Sequence, residues 1–260
     1  MRLTGSREAP QDDKRLIALL LTGLTDEAIA RQLGIGYRTA QRRIDELMAR
    51  LGAHTRFQAG VQAARSNTSG VWQRLHEVLL DRLRAADALD LSRAAVDSSQ
   101  IRAFKRGAQN GPSPVDRGRA GSKHHLITEA TGIPLAVILT GANRNDVTQL
   151  RPLLDAVPKV RGKRGRPRQR PDVVLADRGY DHDKYRCLVR ELQTRLLIAR
   201  RGTAHGSGLG KQRWVVEQTF ALLHAFRRLR IRWEVRADIH EAFLKLACVL
   251  ICWRRLTSLR

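Results

Sequence analysis

The 260-residue sequence has little of three things: cysteine, acid and long apolar runs. Its three cysteines, Cys187, Cys248 and Cys252, form no CxxC pair, which argues against a disulfide framework or a zinc knuckle. Cys248 and Cys252 stand four apart in an apolar helical pattern and are expected as buried free thiols. The longest apolar runs, around Leu16–Leu21 and Leu244–Trp253, fall short of the ~20 residues a membrane span needs. Met1–Pro10 is polar and lacks the apolar segment of a secretory signal. The expectation is a cytoplasmic protein with no membrane partner. No Ser-His-Asp or Cys-His arrangement points to nucleophilic catalysis.

The shortage of acid is the most informative. Asp plus Glu number 25 against 48 Lys plus Arg, a net charge of +23. A chain this basic is suited to neutralising a polyanion such as double-stranded DNA. The charge is uneven: residues 1–70 carry 11 basic and 7 acidic side chains, residues 71–260 carry 37 and 18. Two parts with different electrostatics follow. With 42% apolar and 28% charged residues, both can be globular.

The first part reads as all-α. Arg15–Thr22 places Leu16, Leu19 and Leu20 at helical spacing. Thr25 with Asp26 and Glu27 starts a second helix, Asp26–Leu33. The turn Gly34-Ile35-Gly36 leads into a third, Arg38–Leu51, with Ala40, Ile44, Leu47 and Leu51 inside. Two short helices around a glycine turn, the second one basic, form a helix-turn-helix pattern. Its outward face carries Arg38, Gln41 and Arg42, with Arg43, suited to base-edge and phosphate contacts. A plain helical hairpin with solvated charges is the simpler alternative. The segment TGLTDEAIARQLGIGYRTAQRRIDELMARLGAHTRFQAG resembles the DNA-binding module of LuxR-type regulators over residues 9–65. That resemblance implies that Arg38, Gln41 and Arg42 face DNA.

Ser66–Gly70 is a polar linker and Val71–Arg84 a connecting helix, so the expected division is a module at 1–65, a connection at 66–90 and a second domain at 91–260. From Leu91 onwards the pattern is strand, hairpin, helix, strand, helix, strand, helix, an α/β arrangement with a mixed, ribonuclease H-like sheet. Ala94-Ala95-Val96 runs into Asp97, and Val173–Ala176, apolar as a strand buried on both faces, runs into Asp177. His124–Thr128 and Pro134–Thr140 flank a turn at Thr131-Gly132. Arg161–Pro171 holds six Arg or Lys and reads as a solvated basic loop. A glycine-rich loop spans 202–210, and long helices cover Gln212–Leu229 and Asp238–Leu256.

Asp97 and Asp177, each at the end of an apolar strand, are anchored by buried backbone yet reach a crevice. Glu217 sits on a helix whose apolar face is Val216, Phe220, Leu223 and Phe226. Three carboxylates of this kind suit hard divalent cations. Asp146, Asp172, Asp181 and Asp183 are also available to such a site. Singly, each carboxylate could instead cap a turn or pair with an arginine.

Residues 71–256 carry the segments AVDSSQIRAFKRGAQNGPSPVDRGRAGSKHHLI, PLAVILTGANRNDVTQLRPLLD, VVLADRGYDHDKYR, IARRGTAHGSGLGKQRWVVEQTFALLHAFRRLRIRWE and ADIHEAFLKLACVLICWRRL. In this order they resemble the catalytic part of DDE transposases of the insertion sequence 5 family. The resemblance implies Asp97, Asp177 and Glu217 as the catalytic, metal-binding triad, with two Mg²⁺ or Mn²⁺ ions. It implies phosphodiester hydrolysis at element ends and strand joining by the exposed 3′-OH. Related groups show Tyr-x2-Arg-x3-Glu-x6-Lys around the glutamate; Arg213 and Glu217 fit, while Gly210 and His224 stand at the outer positions. Lys123, Arg178, Arg213 and the 161–170 loop are candidates to hold phosphate, with His124, His125 and His182 as polar neighbours. Self-association on DNA, in a bacterial nucleoid, is a further implication. The two resemblances together describe a fusion, in which a regulator module replaces the segment that reads the terminal repeats. The competing function is a LuxR-type transcriptional regulator without catalysis. A merely basic structural protein accounts for the charge but not for three placed carboxylates.

Overall fold

The structure, a computed structural model, describes residues 25–50, 70–202 and 210–259, with Leu16 and Leu19. The chain divides into two compact units, Met1–Ser69 and Gly70–Arg260. Among the described residues no helix is long and apolar enough to cross a membrane.

In the first unit, α1 (Asp26–Leu33) starts where Thr25 leaves the helical region. The Thr25 hydroxyl accepts the Ala28 N–H at 3.4 Å. It ends at Gly34, whose left-handed backbone lets its own N–H close on the Arg31 carbonyl. After a tight turn comes α2 (Tyr37–Arg50). Ile29, Ile44 and Leu47 pack with Leu16 and Leu19 as a small core. Arg38, Gln41 and Arg42 stand on the exposed side, where Arg42 faces Glu46 at 3.8 Å. The rest of the helix expected at 15–22, the segment after Leu51 and the linker to Ser69 lie outside the described residues.

The second unit opens with α3 (Val71–Ala85). That helix is part of this unit's own core, to which Leu79, Leu80 and Leu83 contribute. A mixed sheet follows, built on β1 (Arg93–Ala103). Its other strands are β2 (Gly111–Pro112), β3 (Ala120–Glu129), β4 (Pro134–Gly141), β5 (Val173–Leu175), β6 (Arg195–Leu197) and β7 (Ile231–Arg232). The main path runs β4-β3-β1-β5-β6, with β3 antiparallel to β1 and β4, and β5 and β6 parallel to β1. This is the ribonuclease H-like order.

Alternation along β1 creates the layers. Ala94 and Val96 join the core under α3 and α4 (Leu150–Asp155), whereas Ala95 joins the one under α6 (Gly210–Ala225). A last helix, α7 (Ala237–Thr257), supplies Val249 and Cys252 to the first core and Leu244, Ala247, Cys248 and Ile251 to the second. Both helical cysteines are buried free thiols. The β3–β4 turn is held by buried Glu129, whose carboxylate accepts the N–H groups of Asp90, Thr131 and Ile133 and the Thr131 hydroxyl.

The two short strands β2 and β7 were not legible in the sequence. At β7 a guanidinium is fully enclosed. Arg232, 0% exposed, donates from its Nε and Nη atoms to the carbonyls of Glu234, Val235, Ala108 and Gln109 and to the Ser122 hydroxyl, at 2.7–3.0 Å. Those five bonds match the five donors of a guanidinium.

Burial also makes the unit acid-sensitive. His76 on α3 is 2% exposed, its Nε2 faces the Pro134 carbonyl at 2.9 Å, and burial lowers its pKa from 6.5 to about 4. The unfolded chain therefore binds a proton there between pH 6.5 and 4 that the folded chain refuses. Stability is expected to be complete above pH 6.5 and to fall towards pH 4, and His76→Gln is expected to flatten that slope in Tm measured against pH.

Candidate active site

β1 is longer than the sequence suggested. Ser98-Ser99-Gln100 continue the strand past Asp97 because β3 pairs with it all the way to Arg102↔Gly121. Asp97 is thus mid-strand rather than at a strand end. Among the described residues, the other side of β1 is paired only at its two extremities. There, β5 reaches Ala95↔Leu175, and β7 begins at Arg102↔Ile231. Asp97 lies in the gap. Extending the β5 register by two residues brings it level with Asp177, where the strands part.

Asp177 leaves β5 after buried Ala176 and caps the short 3₁₀ turn Arg178–Tyr180, accepting the Gly179 N–H at 2.8 Å. A Cβ on Gly179 would stand 2.9 Å from the Asp177 Oδ1, so glycine there leaves room for the carboxylate. Glu217 is exposed on α6, one turn after Arg213. Arg213 Nη2 lies 3.3 Å from Asp97 Oδ2, both side chains largely enclosed, and the Ser98 N–H donates to Asp97 Oδ1 at 2.8 Å.

The electrostatics tie the three acids together. Burial raises the Asp97 carboxyl above its ordinary range. The Ser98 N–H and Arg213 oppose that rise, while the charges of Asp177 and Glu217 add to it. Tyr180, also buried, has its phenol pushed up by burial and by the charges of Asp146, Asp97 and Asp177. Among the described residues its hydroxyl meets no hydrogen-bond partner, and neither does Arg213 Nε.

The competing carboxylates are engaged elsewhere. Asp181 is paired with Arg186 at 2.6 Å and accepts the Arg201 N–H; Asp183 pairs with Arg200 at 2.7 Å; Asp172 pairs with Arg168. Asp146 accepts from Lys123 Nζ at 2.9 Å. Lys123, expected to hold phosphate, is therefore buried with its ammonium on Asp146 and the Arg144 carbonyl. It sits inward because it alternates with Ser122 on a strand buried on both faces. Arg213, a second phosphate candidate, lies against Asp97 instead. Arg178 is half-buried beside Asp177. In the 161–170 loop, Lys163, Arg168 and Arg170 pair with Asp87, Asp172 and Asp155, while Arg161, Arg164 and Arg166 are exposed.

His124 and His125 are fully buried, facing His240 Nε2 at 3.0 Å and the Thr140 hydroxyl at 2.8 Å; His182 precedes α5 (Asp183–Glu191). Tyr180, three residues after Asp177, was the neighbour sequence reasoning missed. Its spacing from a strand-end acid was the available signal. Most of the 202–210 loop lies outside the described residues.

As placed, no group of three His, Cys, Asp or Glu side chains among the described residues is gathered around one metal position. The donors nevertheless suit a hard divalent cation in kind. They are carboxylate oxygens, and the mutual repulsion at Asp97 is the charge imbalance such a cation relieves.

Comparison with known proteins adds four findings. Residues 89–252 match the transposase DDE domain family. The chain is similar to the protein assigned as transposase of insertion sequence element IS402 from Burkholderia cepacia, 65% identical over 148 residues, covering 57% of this chain and 70% of that protein. It is also similar to a bialaphos biosynthetic pathway regulatory protein of Streptomyces hygroscopicus, 49% identical over 49 residues, 19% of each chain. Among solved structures, a piggyBac transposase synaptic complex with hairpin DNA aligns at 10% identity and a TM-score of 0.43, covering 98% of this chain and 69% of that one.

Proposed function

We propose, for a chain that belongs to the transposase DDE domain family, that Asp97, Asp177 and Glu217 form the site at which it cuts and joins DNA. The observation that carries this reading is that Asp97 lies level with Asp177 where β1 and β5 part, with Arg213, one helical turn before Glu217, 3.3 Å from Asp97. The enzyme is a metal-dependent transposase acting on double-stranded DNA, and its substrate is the ends of an insertion sequence, of the insertion sequence 5 family.

Asp97, Asp177 and Glu217 would hold the divalent ions, two Mg²⁺ or Mn²⁺. When bound, these supply Lewis-acid stabilisation of the charge that develops on the phosphate. Before that, Arg213 lies against Asp97 and opposes the rise of its pKa, and Gly179 leaves the Asp177 carboxylate its place. The exposed Arg161, Arg164 and Arg166, with half-buried Arg178, remain the phosphate-side candidates, whereas Lys123 and Arg213 are held by Asp146 and Asp97. Water first displaces the 3′ oxygen at an element end; that 3′-OH then attacks a target phosphodiester, forming one P–O bond as another breaks.

The first unit, divided at 1–65 or at Ser69, is read as a LuxR-type DNA-binding module fused ahead of the catalytic domain. The exposed Arg38, Gln41 and Arg42 on α2 support this. Work on nucleoid DNA in the cytoplasm and self-association there belong to the same reading.

The test is cleavage and strand joining on DNA carrying the flanking terminal repeats, with Mg²⁺ or Mn²⁺, beside Asp177→Ala. Activity that disappears in the variant supports the reading. Absent activity, with specific binding lost in Arg38→Ala, favours a regulator without catalysis. Gly179→Ala is expected to lower cleavage about 10²-fold by shifting the Asp177 carboxylate, with Tm unchanged, since Gly179 is exposed.

A further inference from the structure

The segment after α6 is built inside-out. Between Ile231 and Val235 the chain alternates, but the charged side chains point inwards and the apolar ones outwards. Arg232 and Glu234 are 0% and 8% exposed, whereas Ile231, Trp233 and Val235 are 36%, 42% and 49% exposed. Period-two alternation normally buries the apolar set. Phe104, which follows β1 and donates its N–H to the Arg232 carbonyl, joins them at 68% exposure. Its ring lies 4.7 Å from that of Trp233, tilted by 37°.

The corner is rigid. Arg232 ties the 108–109 backbone to residues 234–235, and His240 Nδ1 holds Glu234 at 3.0 Å. A Cβ on Gly107 would stand 2.1 Å from the Val235 carbonyl, so only glycine allows this approach. Two exposed aromatic rings are thus presented by a fully bonded, buried charge. Packing does not account for them, because both rings remain in solvent.

We propose that the Phe104–Trp233 corner is a stacking platform for an unpaired nucleobase of a DNA strand bound by this chain. Aromatic faces interleaved with cations are the surface that single-stranded nucleic acid selects, since every base offers a π-face and every link a phosphate. Exposed Lys105 and Arg106 directly follow Phe104, and exposed Arg230 and Arg236 bracket the 231–235 segment. These cations also disfavour a second copy of the chain as occupant. A two-fold interface would set the same cations against each other. Phe104, just past the end of β1, lies seven residues beyond Asp97, or about 23 Å at the usual strand rise. The platform is therefore separate from the triad and would hold a base several nucleotides from the cut. The inference rests on the reading of the chain as a DNA-acting enzyme.

The experiment uses the full chain carrying Asp177→Asn, so that bound DNA is not cut. Affinities are measured for a duplex and for the same duplex with a short single-stranded extension containing 2-aminopurine. The extension is expected to tighten binding and quench the 2-aminopurine. Phe104→Ala with Trp233→Ala should weaken extension binding about 10- to 100-fold while duplex affinity stays unchanged. Trp233→Phe should restore most of it, which separates stacking from any effect on folding. Equal affinity for the extension in all variants overturns the platform, as does a fall in oligomeric mass with unchanged DNA binding, which assigns the corner to a second copy. Failure of the parent chain to bind even the duplex overturns the DNA reading itself, and the platform with it.

Discussion

Asp97→Asn is expected to abolish strand cleavage and, at the same time, to make the protein more stable. Cleavage should fall by about 10³-fold or more, the scale of losing a group that organises charge around a reacting centre. The stability gain follows from the sign of the shift at Asp97. Its carboxyl is raised in the folded state, first by burial and then by Asp177 and Glu217 against the pull of Ser98 and Arg213. A group with a raised folded pKa costs stability once the pH has risen through that pKa. Above that pKa the cost is present, and the neutral amide removes it. A gain of about 1 kcal/mol, or roughly 2–4 °C in Tm, is the expected size for a unit of this length. The gain should vanish in wild type compared with variant at acid pH, where Asp97 is itself neutral. Asp181→Asn should do the reverse in stability, because Asp181 sits on Arg186 and its pKa is lowered. Calorimetry beside a cleavage assay distinguishes the two. A destabilised Asp97→Asn would sink the claim that repulsion gathers at this carboxylate.

The largest loss of stability is expected at a residue with no part in the chemistry. Arg232→Met keeps the apolar stem but takes the guanidinium from four carbonyls and one hydroxyl, of which the Glu234 carbonyl and the Ser122 hydroxyl meet it in buried bonds. Each uncompensated buried acceptor costs about 1–3 kcal/mol before relaxation or water entry. A net loss of about 4 kcal/mol is expected, lowering Tm by roughly 10 °C. Arg232→Lys should recover little, since one ammonium cannot reach five acceptors in a plane. Chemical denaturation with unchanged m-value would confirm a loss of stability rather than of compactness. A drop below 1 kcal/mol would mean that the corner re-forms around water.

What could be read in advance depended on how local the signal was. Thr25 before Asp26-Glu27 and glycine after Leu33 marked both ends of α1 because caps are written in adjacent residues. Val173–Leu175 was recognisable because a strand buried on both faces is apolar throughout. The far half of β1 was not, because Ser98-Ser99-Gln100 are polar and their strand conformation comes from pairing with β3, which follows after a long excursion of chain. For the same reason β7, two residues long with a charged one buried, carried no periodic signal. The two aspartates and the glutamate were legible as residues. Lys123, a candidate to hold phosphate, proved buried because Asp146 gives it a partner inside. Nothing in one sequence could announce that Arg213 would lie on Asp97, a contact spanning 116 residues of chain.

The placement of α7 bears on synthesis. This helix follows every strand in chain order and serves the cores on both faces of the sheet. α3, α4 and α6 precede it, but neither core is complete until residues 237–257 have been made. The catalytic unit is therefore obliged to fold after its strands are complete and in one cooperative event, whereas α1 and α2, with their own small core, can settle while the rest is still being made.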